Sequence, residues 1–323
     1  MTSYVLFLDD VGIPREEVQT TITSHLDAEA VYASDYPDLS SVPTPVRAIV
    51  TVKTPFTPTL ASAFPDLSGV VVAFTGYGVH SLDLNIPVYN APGYSTTAVA
   101  EHAIGLSLAA LRDTGVFASS SSWKTLAPGR ELGSLTVGVA GTGAIGMAFA
   151  QRAAAFGASL VGWSRSQNPE FLDLGGRYVA SLAELAAEAD VVSLHVPFND
   201  NTAGLFGAEE AAAMKADGVL VNTARGGVVD TQAVLDEMAS RIASTGSSFV
   251  LAADVFEEEP LPDDHRILTD DLLAPFLLLT HHVAYKTRGA ISRRWDITLS
   301  NLSAVFASTP TAPTAHCVNL EHL

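Results

Sequence analysis

Short apolar runs recur along the chain, separated by polar links rich in glycine and proline. From Tyr4 to about Asn90 the runs Tyr4–Leu8, Ala48–Val52, Val70–Phe74 and Val88–Tyr89 have the length of strands, and Val18–Leu26 and Thr59–Phe64 fit helices between them. The stretch Pro37–Pro45, with prolines at both ends and at Pro43, reads as a surface loop. Thr97–Arg112 is a helical pattern apolar around most of its circumference, which predicts burial between domains or subunits. Ser119–Ser122 and Pro128–Gly129 read as loop. Beyond them strand-like runs fall at Val137–Ala140, Ser159–Trp163, Val191–His195, Val219–Asn222, Phe249–Ala253 and Phe276–Thr280, with helices such as Leu182–Ala189 and Gln232–Ser240 between. That alternation predicts an α/β chain of two doubly wound parallel-sheet domains, the second with six strands. The last helix, Gly289–Phe306, is expected to return to the first domain.

The central stretch is LTVGVAGTGAIGMAFAQRAAAFG, Leu135–Gly157. Gly141, Gly143 and Gly146 stand in G-x-G-x-x-G spacing between a strand and an Ala-rich helix. The first glycine permits the tight turn, the second lets backbone approach a pyrophosphate, and the third lets the helix pack close to the sheet. The helix N-terminus then offers free N–H groups and the positive end of its dipole. This context predicts a dinucleotide site. An NAD site usually carries Asp or Glu at the end of the next strand, roughly 20 residues on. Here LVGWSRS places Ser164, Arg165 and Ser166 there. Two hydroxyls and a guanidinium suit a 2′-phosphate, so NADP(H) is preferred, with NAD(H) as the alternative. The competing reading makes Arg165 a surface ion-pair partner.

Composition narrows the class. The 323 residues are 48% apolar and 16% charged, enough for two ordinary cores. No apolar run reaches the ~18 residues of a membrane span, and MTSYVLFLDDVG lacks the basic lead of a secretory signal. The one cysteine, Cys317, excludes an intrachain disulfide and fits a reducing cytoplasm. A net charge of −18 argues against nucleic acid. No zinc-like Cys/His spacing exists, and no metal is expected.

Three polar residues follow successive strands: Arg225 in NTARGGVVD, Glu259 in ADVFEEEP and His282 in THHVAYKT. In a doubly wound sheet these loops open at the cofactor end. A histidine oriented by a carboxylate is a tuned acid/base, and an arginine beside it binds a carboxylate or carbonyl. Together they suit hydride transfer to a 2-keto acid, with His282 protonating the nascent alkoxide while Arg225 anchors the substrate. Singly each has a plainer reading. Arg225 could cap a strand or pair with an acid, Glu259 sits in an acidic run of the solvated kind, and a lone histidine is more often packed than catalytic. His102 and His195 read as structural.

In GTGAIG, HVPFNDNT, NTARGGVVD, ADVFEEEP and HHVAYKT, in that order, the chain resembles the D-isomer-specific 2-hydroxyacid dehydrogenases along nearly its whole length. The resemblance implies a Rossmann dinucleotide domain, 98–285, inserted into a flavodoxin-like substrate domain, 1–97 and 286–323. The active site would lie in the cleft between them. It implies the catalytic set Arg225, Glu259 and His282. It implies a cofactor lining that adds Ala144, Ile145, Pro197, Thr202, Thr223, Ala224, Asp254 and Ala284 to the glycine loop and Ser164–Ser166. Asp254 would hold the nicotinamide carboxamide. VTVKTPFTPTL, FTGYGVHSLDL and NAPGYSTTAVAEH are similar to the glycerate dehydrogenase/hydroxypyruvate reductase branch. By that likeness the N–H groups of Thr75 and Gly76 meet the substrate carboxylate, and Lys53 stands near the substrate. Loops around Lys53, Thr75–Val79 and Tyr285 would set the substrate side chain. The family often has Pro before its catalytic histidine, whereas this chain has His281, which leaves two adjacent candidates; spacing to Ala284 and Thr287 favours His282. Val52 stands where the branch commonly has Asn, and RIASTGSS, Arg241–Ser248, departs from the usual short link. The expected function is an NADPH-preferring reductase of glyoxylate or hydroxypyruvate, as a cytoplasmic homodimer. An NAD-linked D-lactate-type dehydrogenase and a dinucleotide-sensing, corepressor-like protein are the alternatives.

Overall fold

A computed structural model describes residues 2–77, 80, 82–114, 128–307 and 316–322. Ser119–Ser122 and Val79 lie outside them. The chain divides into two compact units, residues 1–95 with 286–323, and residues 96–285.

The first unit holds a parallel five-stranded sheet of order β2-β1-β3-β4-β5. Its strands are β1 (Ser3–Phe7), β2 (Ala28–Tyr32), β3 (Val46–Thr51), β4 (Gly69–Val72) and β5 (Val88–Tyr89). This is the flavodoxin-like order. β2 is an addition to the predicted strands. The helix Arg15–Leu26 ends on Asp27 in the left-handed conformation (φ 50°), and the chain enters β2 without a loop. AEAVY carries a glutamate and no alternation, so periodicity does not mark it. The final helix, Arg288–Phe306, belongs to this unit: Trp295, Leu302 and Val305 join Val5, Phe7, Val50 and Val71 in one core cluster.

The second unit holds a seven-stranded sheet of order β12-β11-β10-β9-β6-β7-β8. Its strands are β6 (Thr136–Ala140), β7 (Ser159–Trp163), β8 (Arg177–Tyr178), β9 (Val191–Leu194), β10 (Val219–Asn222), β11 (Val250–Ala253) and β12 (Leu277–Leu279). This is the doubly wound dinucleotide-binding order with one strand added at the β12 edge. The expected six strands become seven because β8 pairs with β7 through only two residues, Val161↔Arg177 and Gly162↔Tyr178. β9 and β10 are buried at every position and β6 at all but Thr136, as parallel strands covered on both faces require.

Two helices differ from expectation in instructive ways. Thr96–Leu111 buries Ala98, Val99, Ala100, Ala103, Ile104, Leu106, Ser107 and Leu111, but exposes Glu101 and Gly105. RIASTGSS is mostly helix: Thr231–Thr245 continues to a left-handed cap at Gly246 (φ 76°). The extension puts Arg241 where its guanidinium donates to the carbonyls of Met214 (2.8 Å), Ala211 and Ala212 (2.9 Å each). It thus satisfies the free carboxyl end of the helix Ala208–Ala213. Among the described residues no helix is long and apolar enough to cross a membrane.

Candidate active site

The glycine loop leaves β6 through Gly141, whose φ of 94° only glycine adopts readily. Its N–H donates to the Trp163 carbonyl at 2.7 Å, tying the turn to the end of β7. A Cβ on Gly146 would lie 1.9 Å from the Gly141 carbonyl oxygen, so this residue must be glycine for the helix Ala144–Ala155 to come so near. A Cβ on Gly143 would meet nothing within 4 Å. That helix begins at Gly143 without a side-chain cap hydrogen bond, and its first N–H groups have no intrahelical acceptor. The donor set fits a pyrophosphate. Beneath it His195 packs its ring on Phe149 (5.0 Å between centroids), its Nε2 buried without a hydrogen-bond partner among the described residues. Burial pushes its pKa down to about 3, so this imidazole is neutral and structural.

The loop after β7 carries Ser164, Arg165 and Ser166. Arg165 is exposed, and no acid among the described residues pairs with it. The surface ion pair that would have explained it is therefore missing. Its far foot is tied back to the glycine loop. Asn168 Nδ2 donates to the Thr142 carbonyl (3.1 Å), and Tyr178 Oη meets Thr142 Oγ1 (2.7 Å) while accepting the Asn168 N–H (2.8 Å). Thr202 bonds within its own turn, donating to the Pro197 carbonyl at 2.6 Å. The Thr223 hydroxyl is buried with no hydrogen-bond partner among the described residues. Asn222 accepts the Ala224 N–H at 3.1 Å and donates to the Arg225 carbonyl at 3.0 Å, fixing the turn that presents Arg225.

Arg225, Glu259 and His282 stand on three loops joined by contact. Gly226 packs so closely on the next loop that a Cβ there would lie 1.8 Å from the Phe256 carbonyl carbon. That second loop folds on Glu259, whose Oε1 accepts the Phe256 N–H at 3.1 Å. The other carboxylate oxygen, Oε2, lies 2.6 Å from His282 Nδ1. His282 is half-buried and adopts a left-handed backbone (φ 50°), with its ring edge-on to Tyr285 at 5.8 Å. His281 is exposed, and the carboxylate selects between the two adjacent histidines. The Arg225 guanidinium donates to the Ala224 carbonyl at 2.6 Å and pairs with no acid among the described residues, leaving its charge for a ligand.

Asp254 is fully buried and organises the His282 loop. Its carbonyl accepts the His282 N–H (2.7 Å). Its carboxylate accepts the N–H groups of Val283 (3.0 Å) and Ala284 (2.9 Å) and the Thr280 hydroxyl (2.5 Å). His102 Nε2 lies 3.0 Å from Thr280 Oγ1 and 3.5 Å from that carboxylate. These donors hold the Asp254 pKa below the usual range against its burial. His102 and Thr280 are absent from the sequence-derived set because nothing in the pattern links position 102 to 280.

The substrate candidates lie in the first unit. Asp9, at the end of β1, gathers the loop that carries Lys53. Its Oδ2 accepts the Thr51 hydroxyl (2.9 Å) and the N–H groups of Val52 (2.7 Å), Lys53 and Thr54 (3.0 Å each), and Oδ1 accepts the Thr54 hydroxyl (2.6 Å). These bonds outweigh partial burial and lower its pKa to about 2. The Lys53 side chain is exposed. Thr75 uses its hydroxyl on the Ala91 carbonyl (3.0 Å) and its carbonyl on Asn90 Nδ2 (2.8 Å). The N–H groups of Thr75 and Gly76 accordingly have no acceptor among the described residues. Among the described residues no group of three or more His, Cys, Asp or Glu is placed to hold a metal.

A sheet of this order, a glycine-loop helix and an Arg–Glu–His set define a nicotinamide-dinucleotide oxidoreductase. Residues 104–284 match the family described as D-isomer specific 2-hydroxyacid dehydrogenase, NAD binding domain. A glycerate dehydrogenase of Methylorubrum extorquens is 30% identical over 96% of this chain and 98% of its own. A hydroxypyruvate reductase of Thermotoga maritima is 36% identical over 69% and 73%. The crystal structure of a D-lactate dehydrogenase from Aquifex aeolicus with NAD and lactic acid superposes with a TM-score of 0.73 at 29% identity, covering 93% and 94%. The chain belongs to the D-isomer-specific 2-hydroxyacid dehydrogenases and is an NAD(P)-dependent oxidoreductase.

Proposed function

We propose that the protein reduces small 2-keto acids of the glyoxylate or hydroxypyruvate type to D-2-hydroxy acids, with NADPH preferred over NADH. The observation that carries the reaction is the His282–Glu259 pair at 2.6 Å, on loops of the sheet that bears the glycine turn. The bound cofactor supplies the hydride. Glu259 fixes His282 with Nδ1 protonated, which leaves Nε2 to carry the proton for the substrate oxygen. Arg225, which pairs with no acid among the described residues, holds the keto-acid carboxylate or polarises its carbonyl. Residues 96–285 act as the dinucleotide domain; 1–95 and 286–323 act as the substrate domain. There the N–H groups of Thr75 and Gly76, which have no acceptor among the described residues, receive the substrate carboxylate, and Lys53 stands beside it.

The cofactor preference rests on Arg165, an exposed guanidinium that pairs with no acid among the described residues, flanked by two serines where an acid would read NAD. The glycerate dehydrogenase and hydroxypyruvate reductase relatives support the small-acid reading. The NAD- and lactate-bound structural relative supports the second reading, an NAD-linked D-lactate-type enzyme. A homodimer is proposed from Thr96–Leu111, whose Leu108, Ala109 and Ala110 are only half-buried in the single chain; sedimentation as a monomer at micromolar concentration would refute it. A reducing, cytoplasmic setting is proposed on the one cysteine, Cys317, buried and free.

The test is oxidation of NADPH and of NADH followed at ~340 nm, each with glyoxylate, hydroxypyruvate, pyruvate and 2-ketoisocaproate. Turnover of the first two acids with NADPH is expected. Preference for pyruvate with NADH moves the assignment to the lactate-type reading, and silence across the panel moves it to a dinucleotide sensor.

A further inference from the structure

The tetrapeptide Ser164–Gln167 is anchored at both feet to the glycine loop. At one foot the Trp163 carbonyl accepts the Gly141 N–H at 2.7 Å. At the other, Asn168 Nδ2 reaches the Thr142 carbonyl at 3.1 Å. Between the feet stands Tyr178, whose hydroxyl is shared by Thr142 Oγ1 (2.7 Å) and the Asn168 N–H (2.8 Å). Thr142 is buried, so its hydroxyl has no water to fall back on. The ring of Tyr178 is fixed too. It lies against Phe171 at 5.1 Å, and both pack over Gly162, where a Cβ would come within 2.8 Å of Phe171 and 3.1 Å of Tyr178. A two-residue edge strand is a weak element by itself. The side chain it presents here has a defined hydrogen-bonding task.

We infer that Tyr178 and Asn168 are positioning residues for cofactor discrimination: they hold the Ser164–Ser166 loop at a fixed place relative to the pyrophosphate cradle, so that the loop reads the ribose 2′ substituent. The inference rests on the assignment of that loop to the 2′ position. A dinucleotide held by its pyrophosphate at Gly141–Gly146 brings its adenosine ribose toward the end of β7. Discrimination at the 2′ position therefore depends on the offset between the two loops. Thr142 belongs to one and Asn168 to the other, and the Tyr178 hydroxyl bridges them. Neither residue touches reacting atoms in this scheme.

The test measures Kd for NADPH and NADH, by fluorescence titration of the full-length protein, for wild type, Tyr178→Phe, Asn168→Ser, Arg165→Gln and Arg165→Gln/Tyr178→Phe. Asn168→Ser keeps an N-cap acceptor for the helix Pro169–Asp173 but is too short for Thr142. Melting curves establish that each variant folds. Losing one shared hydroxyl is expected to move the NADH/NADPH affinity ratio toward one by about five- to tenfold. Asn168→Ser should move it the same way, and Tyr178→Phe should add little in the Arg165→Gln background. A ratio unchanged within about twofold in both single variants, or an equal loss for both cofactors, overturns the inference. The parent assignment fails separately, if wild type favours NADH and Arg165→Gln leaves the ratio where it was. The shift caused by Tyr178→Phe still decides the role of the bridge in that event.

Discussion

A carboxylate that spends one oxygen on a backbone N–H has the other left to orient a ring. Glu259 does this, with Oε1 on Phe256 and Oε2 on His282. Glu259→Gln should retain much of the geometry and lose the charge that complements the imidazolium formed in catalysis. Steady-state kinetics are expected to show kcat/KM lower by about 10²–10³-fold, with the Kd of the nicotinamide cofactor nearly unchanged. A comparable loss in cofactor affinity would mean that Glu259 shapes the cleft instead of serving the acid/base. Arg225, Glu259 and His282 were legible in the sequence because each follows a strand by a few residues and a doubly wound sheet delivers those loops to one edge. Between His281 and His282 the spacing to Ala284 and Thr287 favoured His282, and in the structure His282 has the left-handed backbone and the contact with Glu259. Asp9 and Tyr178 left no signal. Asp9 meets its donors 42 to 45 positions away, and Tyr178 bridges 36 positions to Thr142.

Elements succeed or fail on close approach. The glycine loop was legible because steric need leaves its mark in residue type, and Gly146→Ala should expose that need. Its new Cβ would lie 1.9 Å from the Gly141 carbonyl, so the helix must withdraw from the turn. Titration is expected to show NADPH affinity reduced at least about tenfold, with a lower melting temperature. Gly226→Ala poses the same question at the catalytic edge, since its Cβ would sit 1.8 Å from Phe256. There kcat/KM should fall by about 10²-fold while cofactor affinity holds, because the displaced loop carries Arg225 and not the pyrophosphate cradle. Equal losses in both quantities would argue for general unfolding. The elements missed were those whose pairing is dictated from elsewhere. β2 is set by a left-handed cap at Asp27, β8 by two residues on an edge, and the end of Thr231–Thr245 by the carbonyls waiting for Arg241.

At the scale of the whole molecule, each unit carries a histidine whose pKa burial lowers. His195 lies in the second unit, its pKa lowered from 6.5 to about 3, and His80 in the first, its pKa lowered by burial against a smaller pull from Asp9. When either unit unfolds, its histidine regains its ordinary affinity for a proton. The unfolded chain thus binds more protons than the folded one below pH 6.5. Stability is full above that value and is lost as pH falls, by at most about 1.4 kcal/mol per pH unit for each histidine. Asp9 has no part in this range: its pKa is lowered from 3.8 to about 2, so its contribution is lost only in stronger acid. The chain's net charge of −18 predicts the opposite trend, because acid relieves self-repulsion in a compact acidic protein. The sign of the change therefore separates the two effects. Melting temperature followed from pH 7.5 to 5 is expected to fall, by up to a few degrees per pH unit. His195→Phe, which keeps a ring on Phe149, should flatten that slope. A melting temperature that rises on acidification would show that surface charge governs acid stability, and a falling slope that His195→Phe leaves intact would exclude the His195 imidazole as its source.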